Sequence, residues 1–369
     1  MKVAFGISVG SSTPLLRRED TRKFMDLVKM ADDYGAEAIG TFDTAFIGGD
    51  AYVRATLIAQ ASARARVGLR PTNPLTREPQ VMASFLASID HLTDGRAFMD
   101  MASGDSAVLN IGYRAASRAR IEDYVTCVRD LLAKGQATYQ GRPQRVRWSS
   151  SAVRPRVPIS ICAEGPRMLH LGGRIGDGVV AGTGLLPEVI KDTIARVHAG
   201  ASEAGRRPSD VEIWFTARSS LHEDRDTAID NVKASVSSIL NHSMRFGLEG
   251  KHVPEDLRAK IEAYLSTKAR TPSGWRRSGS RRMRSSASRW PGTPVIGSSA
   301  SSRSQRSGPA GSGSVSADTI STPRRTTSGS WAARSCRASS RRSGQEVGDE
   351  EASVRHGERG DGRAGLERA

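Results

Sequence analysis

Short apolar runs alternate with longer segments of helical periodicity over the first 270 residues. The short runs are rich in Val, Ile and Ala and stop at small or polar residues, which is the pattern of buried parallel strands. The longer segments repeat apolar residues every three or four positions, which predicts amphipathic helices. Seven strands are therefore predicted, at 3–9, 38–42, 67–70, 97–101, 157–162, 177–180 and 211–217.

Helices are predicted between these strands, at 19–34, 51–63, from 79 to about 92, 119–133, from 166, and 187–204. A polar hairpin-like insertion is predicted around 139–142. Seven strand-helix units in this order predict an α/β fold of the (β/α)8 TIM-barrel type. Helical sequence follows the seventh strand to about position 265 without an eighth strand, so we expect the barrel to be incomplete at strand 8.

The apolar pattern stops near position 270. The last 99 residues contain 18 Arg, 23 Ser and 14 Gly but no Lys, Phe or Tyr, and only one Leu. This composition cannot bury enough apolar surface to offset the entropy of ordering, which predicts a disordered Arg/Ser/Gly-rich tail. We therefore expect two parts, a barrel domain at 1–270 and a low-complexity tail at 271–369.

The tail resembles the product of a GC-rich gene translated in a shifted frame, because Arg, Ser, Gly, Pro and Ala have codons rich in G and C. Stepping back one base, residues 289–299 can spell Leu-Ala-Gly-His-Pro-Gly-Asp-Trp-Ile-Glu, a plausible barrel-enzyme segment. Two other interpretations stay open. The tail could bind RNA through its arginines and three tryptophans, or it could be a neutral extension.

The net charge of +16 divides unevenly, since the tail carries +10 and the body +6. Basic residues of the body are scattered among acidic ones, so nucleic-acid binding by the body is not expected. Cys127, Cys162 and Cys336 lack disulfide or zinc spacing, which favours a reduced, cytoplasmic protein. The N-terminal apolar run is short for a signal peptide, and no stretch approaches the ~18 apolar residues of a membrane span, so no membrane partner is expected.

Candidate chemistry is sought where strands end, because barrel enzymes place their sites there. Small and hydrogen-bonding residues dominate these positions, which suits a large planar ligand with a phosphate arm held by backbone N–H groups. No catalytic triad, metal-ligand spacing or Walker loop is present, so we expect chemistry from a bound cofactor and no metal. Asp43 could instead brace a loop, and Asp105 could be a turn residue. The candidates are Ser8, Ser11, Asp43, Thr44, Thr72, Asn73, Ser103, Gly104, Asp105, Ser106, Glu164, Gly165, Arg167, Gly182, Thr183 and Gly184.

Four motifs in register carry a family resemblance. They are Thr-Asn-Pro-Leu-Thr-Arg-Glu-Pro at 72–79, Asp-His-Leu-Thr-Asp-Gly-Arg at 90–96, Ala-Ser-Gly-Asp-Ser at 102–106, and Ala-Glu-Gly-Pro-Arg-Met at 163–168 with Gly-Asp-Gly-Val at 176–179. From residue 1 to about 265 the chain resembles the bacterial luciferase-like monooxygenase superfamily. Within it, the chain is most similar to deazaflavin (coenzyme F420) dependent reductases and their FMN-using relatives.

The resemblance implies a barrel, often dimeric, that binds FMN or coenzyme F420 without covalent attachment. By this resemblance Asp43 would face the ring system, and Asp105 matches a proton-donating carboxylate that is Glu in one deazaflavin-dependent branch. Several deazaflavin enzymes have His after the strand 2 Asp, whereas Thr44 cannot act as an acid or base near neutral pH. The other implied cofactor-binding residues are Thr72 below the ring, Ser103 and Gly104 beside it, and Glu164, Gly165, Arg167 and Met168 at the phosphate arm.

These expectations favour a flavin-type oxidoreductase or monooxygenase acting on a small organic substrate, with a homodimer compatible with the resemblance. Hydride transfer and oxygen activation both remain open, because FMN and the deazaflavin would share one cradle. Two alternatives belong to other classes. One is a non-catalytic barrel remnant from a frameshifted gene, and the other is RNA binding through the basic tail.

Overall fold

Seven parallel strands form one sheet within the residues that the structure describes. This computed structural model describes residues 4–9, 17–244, 247–269 and 320–321. The strands run in the order in which they are numbered along the sheet, as expected for successive strand-helix units. They are β1 (Gly6–Ser8), β2 (Ala38–Thr41), β3 (Arg66–Thr72), β4 (Ala97–Met101), β7 (Ile159–Ala163), β8 (Gly178–Ala181) and β9 (Glu212–Phe215), and an antiparallel hairpin of β5 (Gln136–Tyr139) and β6 (Arg142–Arg145) lies apart.

Helices connect the strands as the periodicity predicted. Proline stands at the start of three of them, where its missing N–H costs no hydrogen bond and its fixed φ suits the first turn. None of the described helices is long and apolar enough to cross a membrane. The helices are α1 (Arg18–Asp33), α2 (Ala45–Gly48), α3 (Ala51–Ala61), α4 (Pro79–Leu92), α5 (Ser106–Leu109), α6 (Arg118–Lys134), α7 (Pro166–Ile175), α8 (Pro187–Glu203), α9 (Arg225–Met244) and α10 (Glu255–Ala269).

The sheet curls as a half-barrel and is not closed by the described residues. Strand β1 pairs only with β2 at one edge, and β9 at the other edge pairs with β8 and with the two-residue strand β10 (Ile320–Ser321). Because β10 runs antiparallel to β9, it does not take the place of the eighth parallel strand. The predicted incomplete (β/α)8 barrel is thus confirmed. Apart from β10, the predicted tail at 271–369 lies outside the described residues, and its disorder and frame shift stay predictions.

A buried ion pair occupies the interior of the half-barrel. Arg70 Nε donates to Asp100 Oδ2 at 2.5 Å, and the two side chains are 6% and 1% exposed. The Arg70 guanidinium also lies 4.9 Å from the ring centroid of Phe98 and 5.3 Å from that of Trp214. The pair therefore links neighbouring strands β3 and β4 and reaches toward β9 inside the barrel.

Glycines on the first three strands make room for the Arg70 side chain and for the backbone of β4. A Cβ on Gly6 would lie 2.5 Å from Arg70 Nη1, and one on Gly40 would lie 2.6 Å from Arg70 Cβ. A Cβ on Gly68 would lie 1.9 Å from the Phe98 carbonyl oxygen. Bulky side chains from some strands thus fill the interior where the other strands carry glycine, as close packing requires.

Helices α7 and α8 approach so closely that their backbones touch. A Cβ on Gly173 would lie 1.9 Å from the Val197 carbonyl oxygen, and one on Gly200 would lie 2.0 Å from the His170 carbonyl oxygen. This contact fixes α7 against the sheet, and α7 begins directly after the strand end that carries Glu164.

Substituting Gly200 by Ala should lower the free energy of unfolding of the full chain by about 1–3 kcal/mol, because the helices must separate. Alanine alone would favour the helix by about 1 kcal/mol, so a net loss shows that packing outweighs propensity. Ser202→Ala on an exposed position of the same helix is the control and should be neutral or slightly stabilising. Equal stability of both variants in urea unfolding would contradict this contact.

Candidate active site at the carboxyl ends of the strands

Two polar clusters lie at the carboxyl ends of the parallel strands. One surrounds Asp43, which follows β2, and the other joins Asp105 after β4 to Glu164 after β7. The loops after β3 and β4 are adjacent, since Ala102 N donates to Thr72 O at 2.8 Å. Strand direction therefore brings the residues that the sequence predicted to one edge of the sheet, the mouth of the half-barrel.

Asp43 is fixed by hydroxyl groups from two other segments. Its Oδ2 accepts from Thr72 Oγ1 at 2.8 Å, from Tyr52 OH at 3.1 Å and from Thr76 Oγ1 at 3.4 Å. Its backbone N–H donates to the Pro71 carbonyl oxygen at 2.9 Å. Asp43 thus braces the loop after β3, and its half-buried carboxylate is held at the mouth.

Tyr52 on α3 belongs to this cluster, although sequence analysis did not select it. The Arg77 guanidinium lies 3.1 Å from its ring centroid, and the Phe85 ring meets it edge-on at 4.8 Å. Burial, with the nearby charge of Asp43, raises the pKa of Tyr52 well above its ordinary value. The phenol therefore stays neutral and donates to the carboxylate. Tyr52 is the second residue of α3, after the N-cap Asp50, and no motif at this position indicates that its hydroxyl bonds to Asp43.

Thr72 and Gly104 are held by tight backbone geometry. The buried Asn73 Oδ1 accepts from the N–H groups of Leu75 (2.9 Å) and Thr76 (3.1 Å), which closes the turn after β3. Gly104 has φ +89°, and a Cβ there would lie 2.9 Å from the methyl groups of Val108. Glycine is required at this position, because an L side chain would be strained and crowded.

Asp105, the predicted catalytic residue, contacts a histidine from a distant part of the chain. His242 on α9 hydrogen-bonds through Nδ1 to Asp105 Oδ2, and its Nε2 lies 3.5 Å from Glu164 Oε1. Asp105 is 11% exposed, Glu164 29% and His242 42%. An imidazole thus lies between two carboxylates from different strand ends. Sequence analysis missed His242 because the helical segment after the seventh strand showed no motif.

Glu164 lies in an environment that disfavours its charge. Burial raises the pKa of this carboxyl, and the positive charges of His242 and Lys251 oppose the rise. Burial also lowers the pKa of Lys251, whose Nζ donates to the Ser243 carbonyl oxygen. The group therefore combines one acid, one imidazole and one amine, each partly withdrawn from water.

The start of α7 is the third part of the mouth. Its N-cap residue Gly165 has no side-chain hydrogen bond to cap the helix, and a Cβ there would meet only Lys251 Cε, at 3.8 Å. A small cleft of about 20 Å³ lies beside it. The cleft is lined by Glu164, Leu169, Gly182, Thr183, Val189, Asp192, Thr193, Ser243, Met244, Gly250, Lys251 and His252.

Not every predicted phosphate-arm residue faces this cleft. Arg167 is exposed, and the Met168 side chain packs against the hydrophobic clusters on both sides of β7. The backbone N–H of Met168 donates to the Gly165 carbonyl oxygen at 3.0 Å. Lys251, which the sequence did not indicate, supplies the positive charge nearest to Gly165 among the cleft residues.

Two other features bear on the chemistry. Burial raises the pKa of Cys127 to about 12 and that of Cys162 well above its ordinary value, so neither thiol is activated as a nucleophile. Among the described residues, no group of three or more His, Cys, Asp or Glu side chains is arranged to hold a metal ion.

The sequence profile of the luciferase-like monooxygenases matches residues 1–289 of this chain. The chain belongs to this family. The predicted class, a luciferase-like oxidoreductase or monooxygenase, is thereby confirmed at the level of the family. The match extends past position 265, where the sequence resemblance was expected to end.

Relatives of this luciferase-like protein are also found by sequence and by structure. It is 27% identical over 263 residues to the 5,10-methylenetetrahydromethanopterin reductase of Methanolobus tindarius, covering 70% of this chain and 78% of that protein. It is 26% identical over 246 residues to the F420-dependent glucose-6-phosphate dehydrogenase of Nakamurella multipartita, covering 61% and 71%. Its fold is similar to that of an F420-dependent secondary alcohol dehydrogenase, with TM-score 0.57, 18% identity and coverage of 72% and 82%.

The raised pKa of Glu164 predicts how the stability of the fold depends on pH. When the pKa of a carboxylic acid is raised in the folded state, the group contributes stability at pH values below its unfolded-state pKa, ordinarily 4.5. This contribution is lost as the pH rises through the folded-state pKa. Glu164→Gln should therefore flatten the fall of Tm with rising pH just above 4.5. Glu262→Gln on the exposed surface of α10 is the control. An unchanged profile for Glu164→Gln would contradict the burial of this carboxyl.

Proposed function

We propose that this protein is a flavin-type oxidoreductase that binds coenzyme F420, a deazaflavin, across the mouth of the half-barrel and acts on a small organic substrate. The observation that carries the proposal is the convergence at one edge of the Asp43 cluster, the Asp105–His242–Glu164 group and the uncapped start of α7. Relatives named as F420-dependent favour the deazaflavin over FMN.

The residues present fit such a cofactor. A phosphate arm needs N–H donors and positive charge, and the start of α7 offers first-turn N–H groups without a capping side chain, beside Lys251. The absent side chain at Gly165 leaves room for close approach. A ring system needs a rigid wall with hydrogen-bonding groups, and the braced Asp43 and Thr72 supply one. Glu164 lies beside this start of α7, and burial raises the pKa of its carboxyl.

When bound, a deazaflavin supplies hydride transfer, and FMN would also supply oxygen activation. The chain supplies binding, orientation and a proton. Asp43 and Thr72 orient the ring side of the mouth, while Ser103 and Gly104 shape the loop beside it. We assign the proton to Asp105, which contacts the imidazole of His242 at the mouth. Thr44, at the N-cap position of α2, cannot act as an acid or base near neutral pH.

The residues of the mouth are all present although the barrel is open at one edge. Every residue assigned to the mouth, including Tyr52 on α3 and the start of α7, precedes position 254. This placement favours an enzyme over a non-catalytic remnant. An RNA-binding role would rest on 271–369, and apart from β10 that segment lies outside the described residues.

Cofactor uptake tests the proposal directly. The purified full chain should retain coenzyme F420 through gel filtration and bind it about tenfold more tightly than FMN, a difference of about 1.4 kcal/mol, in a fluorescence or absorbance titration. Tighter binding of FMN would reverse the choice of cofactor. Retention of neither would overturn the proposed function.

Thr72→Val should weaken cofactor binding about tenfold, because it removes the shortest hydrogen bond that fixes Asp43. Thr56→Val is the matched control, since the Thr56 hydroxyl bonds only to a carbonyl of its own helix, that of Tyr52, at 2.9 Å. The control should bind the cofactor as the unmodified chain does. Equal losses in both variants would show that Asp43 does not orient the cofactor.

A further inference from the structure

The His242 side chain contacts two carboxylates at the mouth. It lies on α9, 137 positions after Asp105, and its Nδ1 hydrogen-bonds to Asp105 Oδ2. The opposite ring nitrogen lies 3.5 Å from Glu164 Oε1, so both nitrogens face carboxylates. An imidazole with a carboxylate at each nitrogen is best matched when it is protonated, since both nitrogens are then donors.

Exposure gives the two members of the pair different access to water. The Asp105 side chain is 11% exposed, whereas that of His242 is 42% exposed. A proton lost from Asp105 to a substrate would return slowly from bulk water, while the imidazole can exchange protons with it. The short Asp side chain also needs a partner to fix its direction, which the Nδ1 contact provides.

Resting on the proposed function, we propose that His242 is a positioning residue that orients Asp105 and returns a proton to it. In the transfer, the N–H bond at Nδ1 breaks and an O–H bond forms at Oδ2. The imidazolium becomes neutral imidazole, and the carboxylate becomes carboxylic acid. After Asp105 has passed its proton to the substrate, the imidazole takes up a proton from solvent hydronium at Nδ1, the nitrogen that lost it, so charge and protons balance. The hydride that accompanies this proton to the substrate comes from the reduced deazaflavin.

The charged groups around His242 determine how strongly its imidazole holds a proton. Glu164, from the loop after β7, favours the protonated imidazole. Lys251, from the loop after α9, lies near Glu164 and offsets part of that effect, and its Nζ is held by the Ser243 carbonyl oxygen. Asp105, from the loop after β4, is the partner in direct contact and should dominate.

The pair can be tested without any cofactor. Side-chain NMR of the full chain would follow the titration of each imidazole, with His242→Asn used for assignment. Asp105→Asn should weaken proton binding by His242 about tenfold or more, because a carboxylate within hydrogen-bond distance stabilises the charged form. Glu164→Gln should weaken it less, since its oxygen lies farther away at 3.5 Å.

His170 is the internal control for this experiment. It pairs with Glu203 at 3.0 Å on the outer helices and is 38% exposed, similar to His242, but it is not part of the mouth. Its titration should not change in Asp105→Asn. An unchanged titration of His242 in Asp105→Asn, or an equal change at His170, would overturn the proposed pairing.

Kinetics with coenzyme F420 and an accepted substrate separate positioning from folding. His242→Gln should leave cofactor binding within about twofold of the original, and His242→Ala should lose about 100-fold in kcat, partly restored by added imidazole. The pH at which kcat declines should also move in His242→Gln but not in His170→Asn. Failure of imidazole to restore activity, with an unmoved pH profile, would refute the proton role. Failure to bind coenzyme F420 would instead refute the proposed function, while the NMR result would still decide the pairing.

Discussion

The Arg70–Asp100 ion pair inside the half-barrel is the constraint on which the mouth depends. Burying two charges is costly unless they are paired, so strands β3 and β4 must keep the register that places these side chains together. Thr72 follows Arg70 by two positions, and the Ser103–Asp105 loop begins just after β4. The register shifts between Leu69 and Thr72, so the ion pair and this irregularity of β3 together set the positions of both mouth clusters. Gly6 and Gly40 leave room for the Arg70 side chain, and Gly68 leaves room for the backbone of β4 at Phe98.

The mouth combines two kinds of side-chain cluster with different consequences. Around Asp43, neutral hydroxyl donors fix a carboxylate without neutralising it, which favours orientation of a ligand. Around His242, three groups with adjustable charge lie close together and are partly shielded from water, which favours proton exchange. This division suits the proposed function, in which a bound cofactor supplies the redox chemistry.

The residue after Asp43 is Thr44, which stands at the N-cap position of α2 without a capping side-chain hydrogen bond. Helix α2 packs against α5, and α5 begins directly after Asp105. An imidazole is nevertheless present at the mouth, supplied by α9. His242 lies almost 200 positions after Thr44, so tertiary packing brings this imidazole to the strand ends.

The sequence by itself determined the strand and helix order, because hydrophobic period and the positions of Pro and Gly are local properties. It also placed Asp43, Thr72, Gly104, Asp105 and Glu164 at strand ends, since parallel strands all end at one edge. Only the tertiary structure decided that Arg167 is exposed, that the Met168 side chain is packed in the core, and that Tyr52, His242 and Lys251 join the mouth. The contact between His242 and Asp105 spans 137 positions and depends on how α9 packs, and no local pattern records such a distance.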